Sequence, residues 1–194
     1  MASILENLYR ALGLGILLAV ALMMGLHGAN VSAEPAYLQA FFRYLHVFFG
    51  ILWIGLLYYF NFVQIPTMPK VPAELKPGVS KFIAPEALFW FRWAALLTVV
   101  TGLFVAMFSG YLVEALTLAE GHRLIGVGMW LALIMAFNVW FIIWPNQKKA
   151  LGLVEADADT KAKAARVAML TSRTNFVLSI PMLYAMATFQ SVGG

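Results

Sequence analysis

Long apolar stretches are the feature of this sequence that most constrains its fold. A helix needs about 20 mainly apolar residues to cross roughly 30 Å of hydrocarbon. Five stretches approach that length, at about residues 11–27, 37–63, 87–113, 122–144 and 175–192. The sequence therefore predicts an all-α fold, a polytopic membrane bundle of five transmembrane helices within a single integral membrane domain that covers residues 1–194.

The composition excludes other broad classes of protein. Hydrophobic residues make up 62% of the 194 residues and charged residues only 11%, against about 25% charged residues in an ordinary soluble domain. A soluble globular protein, a disordered chain and a nucleic-acid-binding module are therefore excluded. The absence of cysteine excludes disulfides, iron–sulfur clusters and covalently attached c-type haem. Any redox cofactor then depends on His, Met or carboxylate ligands.

The first apolar stretch has a second interpretation as a signal peptide. Its apolar core is short for a span, and Val31-Ser32-Ala33 resembles a cleavage site. Removal would leave four transmembrane helices. Glu6 argues against removal, because the region before a signal's apolar core is normally positively charged. We therefore predict a retained helix.

The basic residues predict the orientation. Ten of the 13 Lys and Arg residues fall on the side of the N-terminus, at Arg10 and in segments 64–86 and 146–173. The positive-inside rule makes that side cytoplasmic. We predict a multi-pass protein of the bacterial inner membrane, in contact with lipid, with a cytoplasmic N-terminus and a periplasmic C-terminus.

The two basic segments differ in their predicted structure. Segment 64–86 contains five prolines, which favour an extended and stiff connection. Residues 156–173 are rich in Ala and Lys, which predicts a cytoplasmic helix that can run unbroken into the fifth span. Four asparagines fall toward the predicted cytoplasmic side: Asn61, Asn138, Asn146 and Asn175. We expect Asn138 to be the most deeply buried of the four and to make an interhelical hydrogen bond.

All three histidines fall toward the predicted periplasmic side. His46 lies within the second span, and an ionisable residue in a span marks a functional site by default. Arg43 precedes it by three residues, so the two share a helix face. His122 and Arg123 form a similar pair at the start of the fourth span, and His27 follows the first span.

Two imidazoles from different helices at a similar predicted depth in the membrane, each beside an arginine, favour a b-type haem. His46 and His122 would be the axial ligands, and Arg43 and Arg123 would pair with the propionates. A copper or zinc site built from His27, His46 and His122 is the alternative that the ligand types leave open. The simplest alternative is structural, with His46 bonded to a neighbouring helix and the other two histidines at helix ends.

Three stretches of the sequence carry a family resemblance. Residues 46–62, 138–147 and 172–182 together resemble the membrane domain of the bacterial cytochrome-c-linked urate oxidases, the urate oxidase N-terminal family. The similarity covers about residues 40–190. A weaker likeness, in the spacing of His46, Gly50 and Trp53, is to the membrane families of protoporphyrinogen oxidase and copper resistance.

The resemblance implies a polytopic membrane module from a redox setting. The family's membrane domain is followed by a periplasmic cytochrome c, whereas this sequence ends at Gly194 and has no cysteine. Urate oxidation is therefore not carried over. The resemblance implies instead a module that passes electrons to a separate cytochrome c or to a quinone.

Two functions of different class follow. The first is a redox-associated protein with b-type haem near its periplasmic side. The second is a non-catalytic accessory subunit of a larger respiratory-type complex, with other membrane subunits or a second copy as partners, because no complete catalytic set is present. The residues assign no enzyme reaction. A proton-coupled carrier is disfavoured, because no span contains an acidic residue.

Overall fold

The fold is built from helices. The computed structural model describes residues 2–27 and 35–192, without the side chains of Ser3 and His27. Within those residues it contains no strand, which confirms the all-α prediction. The longer helices are α2 (Leu8–His27), α3 (Pro35–Tyr58), α6 (Ala84–Phe108), α8 (Arg123–Phe137) and α10 (Ala158–Val192); the short ones are α1 (Ala2–Leu5), α4 (Ile65–Thr67), α5 (Lys76–Gly78), α7 (Leu112–Leu116) and α9 (Trp144–Ala150).

Four helical segments among the described residues are long and apolar enough to cross a membrane: Leu8–Leu26, Pro35–Lys70, Lys76–Phe108 and Arg123–Ala150. They coincide with the first four predicted spans, and they confirm a helical membrane bundle. The fifth predicted span, 175–192, lies in α10, which is not among these four. Since α10 is one continuous helix of 35 residues, the predicted cytoplasmic helix and the predicted fifth span are parts of a single element.

The chain divides into two compact units, residues 1–38 and 39–194. In the first unit, Asn7 directly precedes α2 and caps its start. Its side-chain oxygen accepts hydrogen bonds from the backbone N–H groups of Tyr9 and Arg10 at 3.0 and 3.1 Å, the usual way to satisfy free donors at a helix start. The Val31-Ser32-Ala33 sequence of the predicted cleavage site lies outside the described residues.

Segment 64–86 is mostly helical, so the prediction of an extended connection is wrong. Three π-helical turns, Tyr59–Gln64, Val79–Ile83 and Asn138–Ile143, each end two residues before a proline: Pro66, Pro85 and Pro145. A proline ring collides with the carbonyl four residues before it in an α-helix. A wider turn just upstream displaces that carbonyl, and the proline then occupies the first turn of the next helical segment.

The same geometry corrects the end of the fourth span. We predicted a stop at Pro145, but the helical path continues through α9 to Ala150. Two further prolines, Pro69 and Pro77, also stand in the first turn of short helical segments. Only at Val71, just before Pro72, is the backbone extended, with φ −73° and ψ 128°, as the residue before a proline prefers.

The second unit packs around an apolar core that includes fully buried Trp53, Phe91 and Met135. Helix α8 approaches α10 closely at Gly128, where a Cβ would lie 2.9 Å from the Cβ of Ala185. The predicted hydrogen bond of Asn138 is present, since its Nδ2 donates to Oδ1 of Asn175 at 2.8 Å. The prediction that Asn138 is the most deeply buried asparagine is wrong, because Asn175 is 0% exposed and Asn138 is 9% exposed. Small residues and a paired amide therefore hold these helices together, as is usual where lipid replaces water.

Candidate functional site

A cavity of about 490 Å³ opens between α3, α6, α8 and α10. Its wall is mainly apolar, and its few polar groups come from different helices. Fully buried Trp53 stands on the α3 side. The cavity is within the size range of cofactor and small-molecule sites, which are typically apolar with a few placed polar groups.

His46 projects from α3 into the wall of this cavity. Arg43, His46, Gly50 and Trp53 all contribute to the lining, and their spacing of three, four and three residues places them on one face of the helix. The face that the sequence indicated through Arg43 and His46 is therefore the one that α3 presents to the cavity.

The orientation of the His46 ring is fixed by a hydrogen bond to α6, so the hydrogen bond to a neighbouring helix that the structural alternative predicted for His46 is present. Its Nδ1 lies 2.8 Å from the carbonyl oxygen of Thr98 on α6. A carbonyl can only accept, so Nδ1 carries the proton and the neutral ring keeps its lone pair on Nε2. Nε2 has no hydrogen-bond partner among the described residues. This arrangement is typical of a metal-ligating histidine, whose second nitrogen is oriented by a backbone carbonyl.

Gly102 makes room for the ring. A Cβ at this position would lie 2.8 Å from Cε1 and 2.9 Å from Nδ1 of His46, which is closer than real Cβ contacts. The imidazole therefore lies directly against the backbone of α6, between the Thr98 carbonyl and the bare Cα of Gly102. Only glycine allows this approach at residue 102.

Polar side chains meet at the end of the cavity near Arg43. Arg43 points at Gln190 on α10, and with the amide oxygen of Gln190 turned toward it the guanidinium donates from Nη1 and Nη2 at 3.0 and 2.9 Å. Tyr111, between α6 and α7, also lines the cavity. Burial raises the pKa of Tyr111, and the positive charge of Arg43 opposes that effect, so the phenol is neutral at physiological pH.

His122 lies outside the cavity lining. Its ring stacks on Tyr111, with ring centroids 5.7 Å apart and planes at 26°, and also contacts Phe189 at 6.0 Å. Tyr111 and Phe189 themselves line the cavity, so two aromatic rings stand beside His122 on that side. Its Nδ1 is buried and has no partner among the described residues.

Two further residues were predicted to belong to the site, Arg123 and His27. Arg123 is exposed and does not line the cavity. His27 has its side chain outside the described residues, so the three-histidine copper site stays a prediction. Among the described residues, no group of three or more His, Cys, Asp or Glu side chains could hold a metal ion.

Sequence reasoning missed the residues that position His46. Thr98, Gly102 and Gln190 were not singled out. A signal was present, because Thr98, Thr101 and Gly102 form a cluster of polar and small residues within a mainly apolar helix. In a membrane helix such clusters mark a face that packs against protein rather than lipid.

Residues 117–190 match the family model described as urate oxidase N-terminal. The matched segment is similar to the urate oxidase N-terminal family and makes up less than half of the chain. The predicted resemblance is thereby confirmed for this segment. No curated protein and no solved structure matches the chain.

The urate oxidase N-terminal match covers α8, the π-helical turn that follows it, α9 and almost all of α10. It includes two of the three sequence stretches that carried the resemblance, residues 138–147 and 172–182. It contains His122 and the α8 and α10 walls of the cavity. The first stretch, 46–62, lies outside the match, so the α3 wall with His46 is not part of the matched segment.

Proposed function

We propose that this protein binds a b-type haem in the cavity between α3, α6, α8 and α10, with Nε2 of His46 as an axial ligand, and passes electrons to a cytochrome or quinone. The observation that carries the proposal is the geometry of His46. Its Nδ1 is committed to the Thr98 carbonyl, its ring is seated against Gly102, and its Nε2 remains free to bind.

The residues present fit such a group in three respects. The cavity of about 490 Å³ is mainly apolar, as the body of a porphyrin requires. Arg43 stands at its polar end, where it is suited to a carboxylate because a guanidinium pairs with carboxylates through two parallel hydrogen bonds. With no cysteine in the chain, the haem would be held without covalent attachment.

Each residue then has a defined task. A bound haem would supply a one-electron couple. Thr98 fixes the tautomer of His46, Gly102 sets the position of the ring, and Arg43 and Gln190 provide the polar end. The apolar wall keeps water from the binding site. We further propose the predicted orientation in a bacterial inner membrane, which places His46 toward the periplasm, where a cytochrome c partner would meet it.

Optical spectroscopy tests the proposal. The protein, expressed in haem-replete cells and purified in detergent, should show a Soret band and, after reduction, an α-band. His46→Ala should lose most of the haem, measured as a pyridine haemochrome per mole of protein. The matched control is Arg166→Ala, an exposed residue outside the cavity, which should keep the full haem content.

Two results would contradict the proposal. One is a colourless wild-type protein that contains no iron after expression with added haem precursor. The other is full haem content in the His46→Ala variant. If a colourless protein purified as a stoichiometric part of a multi-subunit membrane complex, the accessory-subunit function would replace haem binding.

A further inference from the structure

A methionine of α10, Met186, lines the same cavity as His46. Arg43 on α3 contacts Gln190 on α10, which aligns the two helices at that level. One turn inward along α3 is His46, and one turn inward along α10 is Met186. Side chains three or four residues apart share a helix face, and both His46 and Met186 line the cavity.

Met186 is the most available of the thioethers in the cavity wall. Met129 and Met182 also line it, but they are only 8% and 5% exposed and belong to the two buried apolar clusters. Met186 is half-buried and packs at the edge of both clusters. Its methyl group lies beside Gly128 of α8, 3.4 Å from where a Cβ of that residue would be.

We propose that Met186 is the second axial ligand of the haem, opposite His46. The proposal rests on the proposed function and replaces His122 in that role. A thioether is a neutral, soft donor, and a His/Met pair is an established ligand set for haem iron. His122 lies beside Tyr111 and Phe189 and outside the lining, so its ligation would require these rings to move.

The test compares the purified wild-type haem protein with two variants of Met186 by electron paramagnetic resonance, optical spectroscopy and redox titration. Wild type should be low-spin in the ferric state. Met186→Leu conserves side-chain volume and should keep the haem on His46, lose the low-spin signal and titrate at a lower midpoint potential. Met186→His should restore the low-spin signal at a potential below that of wild type, because a methionine ligand raises the potential.

Met169→Leu is the matched control on the same helix, because Met169 lies outside the cavity lining, and it should retain the wild-type spectrum and potential. The ligand assignment would be overturned if Met186→Leu kept both the low-spin signal and the wild-type potential. It would also be overturned if His122→Ala or Met182→Leu abolished the low-spin signal. These outcomes require haem in the wild-type protein, whereas its absence from wild type would refute the proposed function itself.

Discussion

The position of the His46 imidazole depends on Gly102, which has no side chain. His46 reaches α6 because Gly102 has no Cβ, and the ring then finds the Thr98 carbonyl at 2.8 Å. Two other glycines of the cavity wall have no such role. A Cβ on Gly50 would meet only a methyl group of Thr98, at 3.8 Å, and a Cβ on Gly55 would have no neighbour within 4 Å. Glycine is therefore required at 102 and replaceable at 50 and 55.

We expect Gly102→Ala to destabilise the protein by about 1–3 kcal/mol, the usual cost of overpacking, and to displace His46 from the Thr98 carbonyl. Gly50→Ala, in the same cavity wall, should change stability by less than about 1 kcal/mol and in the stabilising direction, because alanine restricts the unfolded chain. Thermal unfolding in detergent measures the difference. Equal melting temperatures for the two variants would show that the ring does not depend on Gly102.

Prolines change the local shape of these helices, but they do not end them. Pro66, Pro85 and Pro145 are each preceded by a π-helical turn, and the helical path continues past all three. The sequence rule that a proline ends a helix therefore failed at these positions. It failed because a wider turn upstream removes the collision between the proline ring and the carbonyl four residues before it.

Asp157 fixes the start of α10. Its carboxylate accepts hydrogen bonds from the backbone N–H of Thr160 at 2.7 Å and from the Thr160 hydroxyl at 2.9 Å. These bonds lower the pKa of Asp157 below its ordinary value, with the backbone bond as the largest cause. A carboxyl group whose pKa is lowered by folding stabilises the fold above its unfolded pKa, about 3.9, and that contribution is lost as the pH falls through the lowered value.

Asp157→Ala should therefore speed amide hydrogen exchange in the first turn of α10 at neutral pH. The difference from wild type should shrink as the pH falls below about 4 and should vanish below the lowered pKa of Asp157, where the wild-type carboxylate is protonated. Asp159→Ala is the control, because it leaves both hydrogen bonds from Thr160 to Asp157 in place. Equal exchange in wild type and Asp157→Ala at neutral pH would rule out this capping role.

The few charges of the chain govern its relation to the membrane. Exposed residues of the helices are largely apolar, for example Ile51, Phe137 and Phe141, as lipid contact requires. The basic residues are concentrated in the segments that connect the spans. Orientation in the membrane therefore depends on the distribution of those basic residues.

The absence of cysteine makes the orientation directly testable. Glu120 and Glu155 are exposed and lie in connections at opposite ends of the Arg123–Ala150 span. In spheroplasts, Glu120→Cys should react with a membrane-impermeant maleimide, and Glu155→Cys should react only after permeabilisation. The cysteine-free wild type reports background labelling. The reverse pattern would place the N-terminal side of the bundle in the periplasm.

The sequence predicted more of the fold than of the candidate site. Four of the predicted spans correspond to long helical segments, because a membrane helix satisfies its own backbone and depends mainly on local composition. The helical structure of segment 64–86 was not predicted because prolines usually disfavour helices. Here Pro66, Pro69, Pro77 and Pro85 occupy first turns of helical segments, where a proline is tolerated. His46 and Arg43 were found because ionisable residues are rare in apolar spans. Their partners Thr98, Gly102 and Gln190 carry no such signal.

The sequence by itself determined that this is an all-α membrane protein with an ionisable group on one face of α3. Both properties are local, since they depend on residues within one helix. Only the tertiary structure decided that His46 faces a cavity while His122 stands beside Tyr111 and Phe189 outside it. That distinction arises from contacts across more than 50 residues of sequence, such as His46 with Thr98. Such contacts depend on which helices pack together, and on the glycines that let them approach.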